Sequence, residues 1–249
     1  MARALIVGNW KSYVASLKQG KKLFKDIEKT LPRTLKSDVV VCPPSLLLQP
    51  LASAYRGQRI EFGVQDTFPE TGAHTGEVSV VLAKDVGARY TIVGHAERRA
   101  QGETDEVVAR EVGAALDIKL IPIVAFGEKE RDRDGHYLKV LQKSIETSLS
   151  KVQERDMKKL VIAYEPVWAI GAALPPDART VQETVIFIRK VLAGMFDRNV
   201  ALKARIIYGG AVDDENALEL MQSTGVSGFL LGRASVDAQK FTRIVSLFQ

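Results

Sequence analysis

The chain of 249 residues has very few of the residues that build disulfides or zinc sites. Cys42 is its only cysteine, and it has three histidines. A single cysteine excludes an intrachain disulfide framework, and we expect no metal site built on histidine and cysteine. No run approaches the ~20 apolar residues that span a bilayer. The first ten residues lack the apolar run of a secretory signal, so we expect a cytoplasmic protein with no membrane partner.

The chain also lacks a strong excess of charge of either sign. Its formal net charge is +5, and 46% of its residues are hydrophobic, which excludes intrinsic disorder. The densest basic stretch runs from Lys18 to Lys36, on a predicted helix with an apolar face. We interpret it as a solvated helix face and expect no nucleic-acid partner.

Short β-branched runs alternate with amphipathic helices along the whole chain. Thr104 is predicted to cap the helix that begins near Asp105. The runs are almost continuously apolar, which is typical of a parallel sheet covered on both faces. They are Ala4–Gly8, Asp38–Cys42, Ile60–Val64, Tyr90–Val93, Leu120–Ala125, Leu160–Tyr164, Arg205–Tyr208 and Gly228–Leu231.

This alternation predicts an α/β protein. Eight units in 249 residues match the ~30 residues of one βαβ repeat. The strand count, and the lack of a G-x-G-x-x-G turn after the first strand, favour a closed (β/α)8 barrel of eight parallel strands over an open doubly wound sheet. No Gly/Ser/Pro-rich linker divides the chain, so we expect a single barrel domain over residues 1–249. Chemistry in such a barrel lies on the loops that follow the strands.

Three of these loops carry side chains suited to acid–base chemistry. Lys11 follows the first strand, His95 the fourth and Glu165 the sixth. A carboxylate buried beside apolar residues is costly unless it is functional or paired, and burial makes it a stronger base. Each residue also has a structural interpretation: an exposed loop lysine, a packed histidine, and a buried glutamate held by a neighbouring arginine.

His95 is predicted to lie near the start of a helical turn. The dipole of a helix N-terminus disfavours an imidazolium, so this histidine would stay neutral and donate a hydrogen bond. Glu97, beside Arg98 and Arg99, is a candidate for an ion pair with either arginine, as support for the site or as a subunit contact.

Glycines follow the last two strands, at Gly209, Gly210 and Gly232. Glycines allow backbone N–H groups to approach an oxyanion closely, and the loops after strands seven and eight hold phosphate in many barrels. A helix N-terminus after strand eight would add its dipole. A base, a histidine, a lysine and a phosphate site together fit proton abstraction next to a carbonyl in a small phosphorylated substrate.

Six segments carry a family resemblance. They run in order over nearly the whole chain: Asn9–Lys11, Gly72–Glu77, Gly94–Arg99, Tyr164–Gly171, and Tyr208–Gly210 with Gly228–Leu230. In these segments the sequence closely resembles the triosephosphate isomerase family. The resemblance implies interconversion of dihydroxyacetone phosphate and glyceraldehyde 3-phosphate, with neither a cofactor nor a metal.

The resemblance also implies a role for each catalytic residue. Glu165 would move the proton between two carbons, His95 would act as the electrophile, and Asn9 and Lys11 would hold and polarise the substrate. Glu97 would hold Lys11 in position without contacting the substrate itself.

Other roles implied by the resemblance concern the rim of the site. Ile170 and Leu230 would enclose Glu165 in apolar surface. Gly171 would bring a backbone N–H from a lid to the substrate phosphate, which would also lie near Ala211 and the Gly232–Arg233 pair.

The family resemblance further implies a homodimer. In this dimer, the third loop of each subunit would enter the neighbouring subunit. Here that loop runs from Gln65 to Glu77, with Thr75 near its tip. A loop of this length is also consistent with plain surface structure.

The sequence departs from the family pattern in several places. Ala96 and Ala125 replace a serine and a cysteine, and we expect both to be tolerated. Ala211 lacks the usual serine hydroxyl, and losing a donor to a charged phosphate weakens binding by roughly 1.5–3 kcal/mol. Arg233 replaces a glycine, and either offsets this loss or obstructs the site. We therefore expect an active isomerase with a raised KM.

The altered phosphate site and lid leave two other functions open, and Pro175 and Pro176 in the lid motivate the second of them. One is a degenerate barrel that binds a phosphorylated ligand without turnover. The other is an isomerase of a larger sugar phosphate. Intact Lys11, His95 and Glu165 count against the first, because a binding module has no need for a base.

Overall fold

The protein folds into a closed barrel of eight parallel strands. The structure, a computed structural model, describes residues 3–169 and 176–249. The strands pair in chain order, and the last pairs with the first. They are β1 Leu5–Asn9, β2 Asp38–Cys42, β3 Ile60–Val64, β4 Tyr90–Val93, β5 Ile121–Phe126, β6 Val161–Tyr164, β7 Arg205–Tyr208 and β8 Gly228–Leu231.

Helices connect the strands. In the described residues they are α1 Leu17–Thr30, α2 Ser45–Ala52, α3 Val80–Asp85, α4 Ala96–Ala100, α5 Asp105–Asp117, α6 His136–Ser148, α7 Ala178–Met195, α8 Arg198–Lys203, α9 Ala217–Ser223 and α10 Ala238–Ser246. Short 3₁₀ helices span Glu154–Lys159, Val167–Ala169 and Arg233–Val236. Thr104 caps α5, as predicted, by accepting a hydrogen bond from the Val107 N–H.

The pairing of β1 shows how the barrel closes. Leu5 lies opposite Asp38 of β2 on one side and Gly228 of β8 on the other. Because the last strand pairs with the first, no strand of the sheet has a free edge, so the closed-barrel prediction is confirmed and the open sheet is excluded. The first strand lies one residue later than predicted, so Asn9 is the last residue of β1 rather than part of the loop.

Side chains of the strands form two apolar layers, because alternate residues point to opposite faces. One layer fills the barrel interior, with Leu5, Val7, Val40, Ile92, Ile123 and Leu230 among its members. The other packs between strands and helices, with Ile6, Val39, Val41, Val93, Val124 and Leu231 among its members. This packing holds the strand ends, and the loops that follow them, in fixed positions.

The basic stretch lies largely on the solvent face of α1. Lys18, Lys21 and Lys25 are exposed, while Phe24 and Ile27 are buried against the barrel. The stretch was predicted to lie on one helix throughout, but α1 ends at Thr30 and its last basic residues follow the helix. No helix within the described ranges has both the length and the apolar character needed to cross a bilayer.

Candidate active site

Glu165 lies directly after β6 and is only 5% exposed. Its Oε1 atom is 3.3 Å from Nε2 of His95, and its Oε2 accepts a hydrogen bond of 3.2 Å from the Ala96 N–H. Among the ion pairs of the described residues, none joins Glu165 to an arginine. The arginine-held glutamate considered from the sequence is therefore not what the structure contains.

Two glycines make room for this glutamate. A Cβ atom on Gly209 would lie 2.7 Å from Cγ of Glu165, and one on Gly127 would lie 1.6 Å from its carbonyl oxygen. Both distances are far below a van der Waals contact. Sequence reasoning assigned Gly209 to phosphate binding alone, and it missed the clearance for Glu165 because that depends on the packing between β6 and β7.

His95 is the N-cap of α4, which confirms its predicted place at a helix start. Its Nδ1 atom accepts a hydrogen bond of 3.1 Å from the Glu97 N–H. A ring nitrogen that accepts a hydrogen bond carries no proton, so the ring proton is on Nε2. This N–H points toward Glu165, and His95 is a neutral donor in this arrangement.

Glu97 forms an ion pair with Lys11 across the mouth of the barrel. Its Oε1 atom lies 2.7 Å from Nζ of Lys11. An ion pair of Glu97 with Arg98 or Arg99 was considered from the sequence, but that pairing is wrong, because both arginines pair with other carboxylates. Glu97 thus fixes the ammonium of Lys11 at the same edge as His95.

The backbone of Lys11 adopts a left-handed conformation, with φ of 45°. Such a conformation is unfavourable for a residue other than glycine and persists only when its surroundings hold it. Asn9 Oδ1 accepts a hydrogen bond of 3.0 Å from the Lys11 N–H, and Gln65 Nε2 donates one of 2.9 Å to the Lys11 carbonyl. Gln65, predicted only as part of the dimer loop, therefore also positions Lys11.

Gly232 lies beside Lys11. A Cβ on Gly232 would be 3.4 Å from Cε of Lys11, so the loop after β8 packs against the lysine. Arg233 and Ala211 are exposed, and Leu230 is buried in the barrel interior. The element after β8 is a 3₁₀ helix of four residues, shorter than the helix that the sequence suggested.

Glu128 is a buried residue that sequence reasoning missed. Its Oε1 atom accepts hydrogen bonds from Trp168 Nε1 at 2.8 Å, the Tyr164 hydroxyl at 3.0 Å and Arg131 Nε at 2.7 Å. Burial and the adjacent Glu128 carboxylate raise the pKa of Tyr164, which keeps the hydroxyl a donor. The available signal was a carboxylate two residues beyond an apolar strand, close to the pattern that identified Glu165, which follows its strand directly.

The network around Glu128 fixes Trp168, the residue that leads into the predicted lid. The lid residues Ile170 and Gly171, together with Pro175, lie outside the described residues. Pro176 and Asp177 follow, and Asp177 caps α7 by accepting a hydrogen bond of 2.7 Å from the Thr180 N–H.

The segment from Gln65 to Glu77 folds back on itself. The His74 N–H donates to the Gly72 carbonyl at 2.9 Å, and the rings of Phe68 and His74 lie 4.3 Å apart. Thr75 is exposed at its tip. The segment is thus an ordered projection.

A cavity of about 330 Å³ opens between this segment and the strand ends. It is lined by polar and charged side chains, including Asn9, Lys11, Gln65, His95 and Glu97. The cavity gives an anion or a polar group access to Lys11 and His95.

The family model described as triosephosphate isomerase matches residues 4–248 of this chain. The triosephosphate isomerase of Moorella thermoacetica is 41% identical to it over 252 residues, covering both proteins completely. That of Clostridium botulinum strain Loch Maree is 39% identical over 99% of this chain and all of the relative. That of Fusobacterium nucleatum is 39% identical over 98% of each protein.

Residues of the motifs at the strand ends meet in one polar site, and the similarity extends over the full length of the chain. The chain therefore belongs to the triosephosphate isomerase family.

Proposed function

We propose that Glu165, His95, Lys11 and Asn9 carry out the reaction that family membership assigns to this chain. By that membership it is an aldose–ketose isomerase of glycolysis and gluconeogenesis, acting on triose phosphates. The observation that carries our residue assignment is the contact between Glu165 and His95, which places a base and a proton donor side by side.

Glu165 is the general base. It removes a proton from the carbon next to the substrate carbonyl and returns it to the neighbouring carbon. Its burial supports this role, since a carboxylate shielded from bulk water exchanges its proton with the substrate rather than with solvent. The clearance at Gly209 supports it as well, because it leaves the carboxylate free of steric contact on that side.

His95 and Lys11 stabilise the enediolate oxygen that forms when the proton leaves. Both are donors that are already in place, so little reorganisation is needed as charge develops. The Nε2–H of His95 contacts Glu165 in the structure, and bound substrate takes that donor for its carbonyl oxygen. Glu97 and Asn9 position Lys11 through its ammonium and its backbone.

The substrate phosphate lies between Lys11 and the loops after β7 and β8. Gly232 leaves space beside the lysine, and its backbone N–H is one phosphate donor. We assign a second to the backbone of Gly171 in the lid, and we assign Ile170 and Leu230 to the apolar enclosure around Glu165.

Ala211 and Arg233 change the strength of this phosphate site. Ala211 supplies no hydroxyl, which raises KM. Arg233 is exposed beside Gly232, and no ion pair in the described part of the chain holds its guanidinium. We infer that it binds the phosphate and offsets part of the loss.

A homodimer completes the site. The ordered projection at Thr75 and the polar cavity beside Lys11 support an arrangement in which the tip of a second copy enters the cavity. Such a contact would stiffen the segment that holds Lys11 through Gln65. A cytoplasmic location remains a prediction from the sequence.

The test is a coupled assay with purified protein and a panel of phosphorylated aldoses and ketoses. We expect the triose phosphates to be turned over with the highest kcat/KM. A preference for a larger sugar phosphate would contradict the substrate, and binding of triose phosphate without turnover would contradict the assigned catalytic roles.

A further inference from the structure

Three carboxylates meet beside the root of the segment from Gln65 to Glu77. Asp66 follows β3, Glu103 lies just before α5, and Glu111 is within α5. One oxygen of each lies within 4.8 Å of those of the other two. Glu111 is 3% exposed, and the side chain of Glu103 is also 3% exposed.

Several of these buried oxygens lack hydrogen-bond partners. Within residues 3–169 and 176–249, both oxygens of Glu103 and Oε2 of Glu111 have none. A buried carboxylate without hydrogen bonds is costly, because nothing replaces the water it has lost. Some other group must compensate for these oxygens.

Arginine compensates for the charge only in part. Arg98 places NH2 2.7 Å from Asp66 Oδ2, and its Nε is 3.7 Å from Glu103 Oε1. Arg99 is held by Asp105, and Arg110 is exposed on α5. When all three carboxylates are ionised, they and the single guanidinium of Arg98 leave two negative charges, which is the charge that one divalent cation neutralises.

We propose that Asp66, Glu103 and Glu111 form a binding site for one hard divalent cation of the Ca²⁺ class. Carboxylate oxygens are the ligands that such cations prefer, at distances of about 2.3–2.6 Å. Two ligands on opposite sides of such an ion are roughly twice that distance apart, and the three oxygens lie within 4.8 Å of one another.

Asp66 connects the proposed cation site to a cavity at the surface of the chain. Asp66 and Arg98 line the polar cavity beside Lys11, so an ion reaches Asp66 from there before a second copy covers the cavity. The site is separate from the proposed isomerase chemistry, and it departs from the expectation of no metal. Its role is structural: it joins the root of the segment to α5.

Protons compete with the cation for the carboxylates of Glu103 and Glu111. Burial and the neighbouring Asp66 raise the pKa of Glu103 to about 7, and burial and the neighbouring Glu103 raise the pKa of Glu111 to about 9. A cation must displace these protons, so the test is best made at alkaline pH.

The experiment is calorimetric titration of the full-length protein with CaCl2 at pH 9.5 after treatment with EDTA, together with thermal unfolding in EDTA and in CaCl2 at the same pH. We expect one Ca²⁺ per chain and a higher Tm in CaCl2. Glu111→Gln and Glu103→Gln each weaken binding at least roughly tenfold and lose the shift in Tm. The second variant serves if the first fails to fold, as judged by circular dichroism.

Matched variants exclude other sites. Glu106→Gln removes an exposed carboxylate from the same helix, and Asp134→Asn disrupts the exposed group of Asp132, Asp134 and His136. Both should bind Ca²⁺ like the wild type. The proposal is overturned if CaCl2 gives no binding heat, if Glu111→Gln binds as well as the wild type, or if Tm responds to pH alone and not to CaCl2.

Discussion

Oε1 of Glu165 lies 3.3 Å from Nε2 of His95, although the two residues follow strands that are not neighbours in the barrel. The contact forms because β4 and β6 end at the same rim and the interior between them is narrow. The backbone of Glu97 fixes the proton of His95 on the nitrogen that faces Glu165. Substrate entering between these groups meets a base on one side and a donor on the other.

Gly209→Ala tests whether the position of Glu165 matters for catalysis. The added methyl would lie 2.7 Å from Cγ of Glu165, so the carboxylate must move. We expect kcat to fall on the order of 10²-fold, with a smaller change in KM. Gly194→Ala is the control, because nothing lies within 4 Å of a Cβ at that position. Equal kcat values for the two variants would show that the clearance at Gly209 has no role.

The pair of Lys11 and Glu97 can be tested by a double-mutant cycle. Lys11→Met removes a donor to the enediolate oxygen, which costs on the order of 10²–10³-fold in kcat. Glu97→Gln has a smaller effect, and the double variant should be no worse than Lys11→Met alone. Steady-state kinetics of the four proteins measures this coupling.

The same pair should contribute little to stability, because Glu97 is largely exposed. Glu183→Gln, which removes the exposed ion pair with Arg179, is the matched control. We expect Glu97→Gln and Glu183→Gln to change the free energy of unfolding by similarly small amounts. Independent effects of Lys11→Met and Glu97→Gln on kcat/KM would contradict the positioning role of Glu97.

The phosphate site predicts opposite effects of two substitutions. Ala211→Ser restores a hydroxyl donor and should strengthen binding by roughly 1.5–3 kcal/mol, lowering KM. Arg233→Gly removes a guanidinium and should raise KM, with kcat changed less in both variants. A lower KM for Arg233→Gly would instead mean that the arginine obstructs the site, and an unchanged KM for Ala211→Ser would refute our interpretation of Ala211.

Thr75→Arg tests the proposed dimer contact. An arginine at the exposed tip would bring charge and bulk toward Lys11 of a second copy, so the variant should sediment more slowly than the wild type at equal concentration. Thr34→Arg makes the same change in an exposed residue before β2, at the opposite end of the barrel. Identical sedimentation coefficients for the wild type and Thr75→Arg would contradict the contact.

Much of the fold could be predicted from the sequence because its local signals agree with one another. Almost continuously apolar runs predicted every strand boundary to within one residue of its position in the structure. Thr104 was correctly identified as an N-cap because its hydrogen bond is local, within three residues of the chain. The closure of the barrel followed from the number of strands.

What the sequence could not provide depends on contacts between distant segments. Neighbouring residues alone suggested a pair of Glu97 with an arginine, and only the family resemblance implied its support of Lys11, because the contact depends on the approach of β1 to β4 across the barrel mouth. The clearance at Gly209 and the convergence of three donors on Glu128 likewise need the packed structure. Neighbouring positions in the sequence suggested an ion pair of Glu97 with Arg98 or Arg99, but in the folded chain all three residues pair with other partners.

The most direct test of the central claim is the turnover of glyceraldehyde 3-phosphate by the wild type and by Glu165→Gln, measured in a coupled assay. Glu130→Gln, an exposed carboxylate after β5, is the control. If Glu165 is the base, the wild type and the control turn over substrate, and Glu165→Gln loses at least roughly 10²–10⁴-fold in kcat. A Glu165→Gln variant with kcat within about threefold of the wild type would contradict the account, since a general base contributes far more than that.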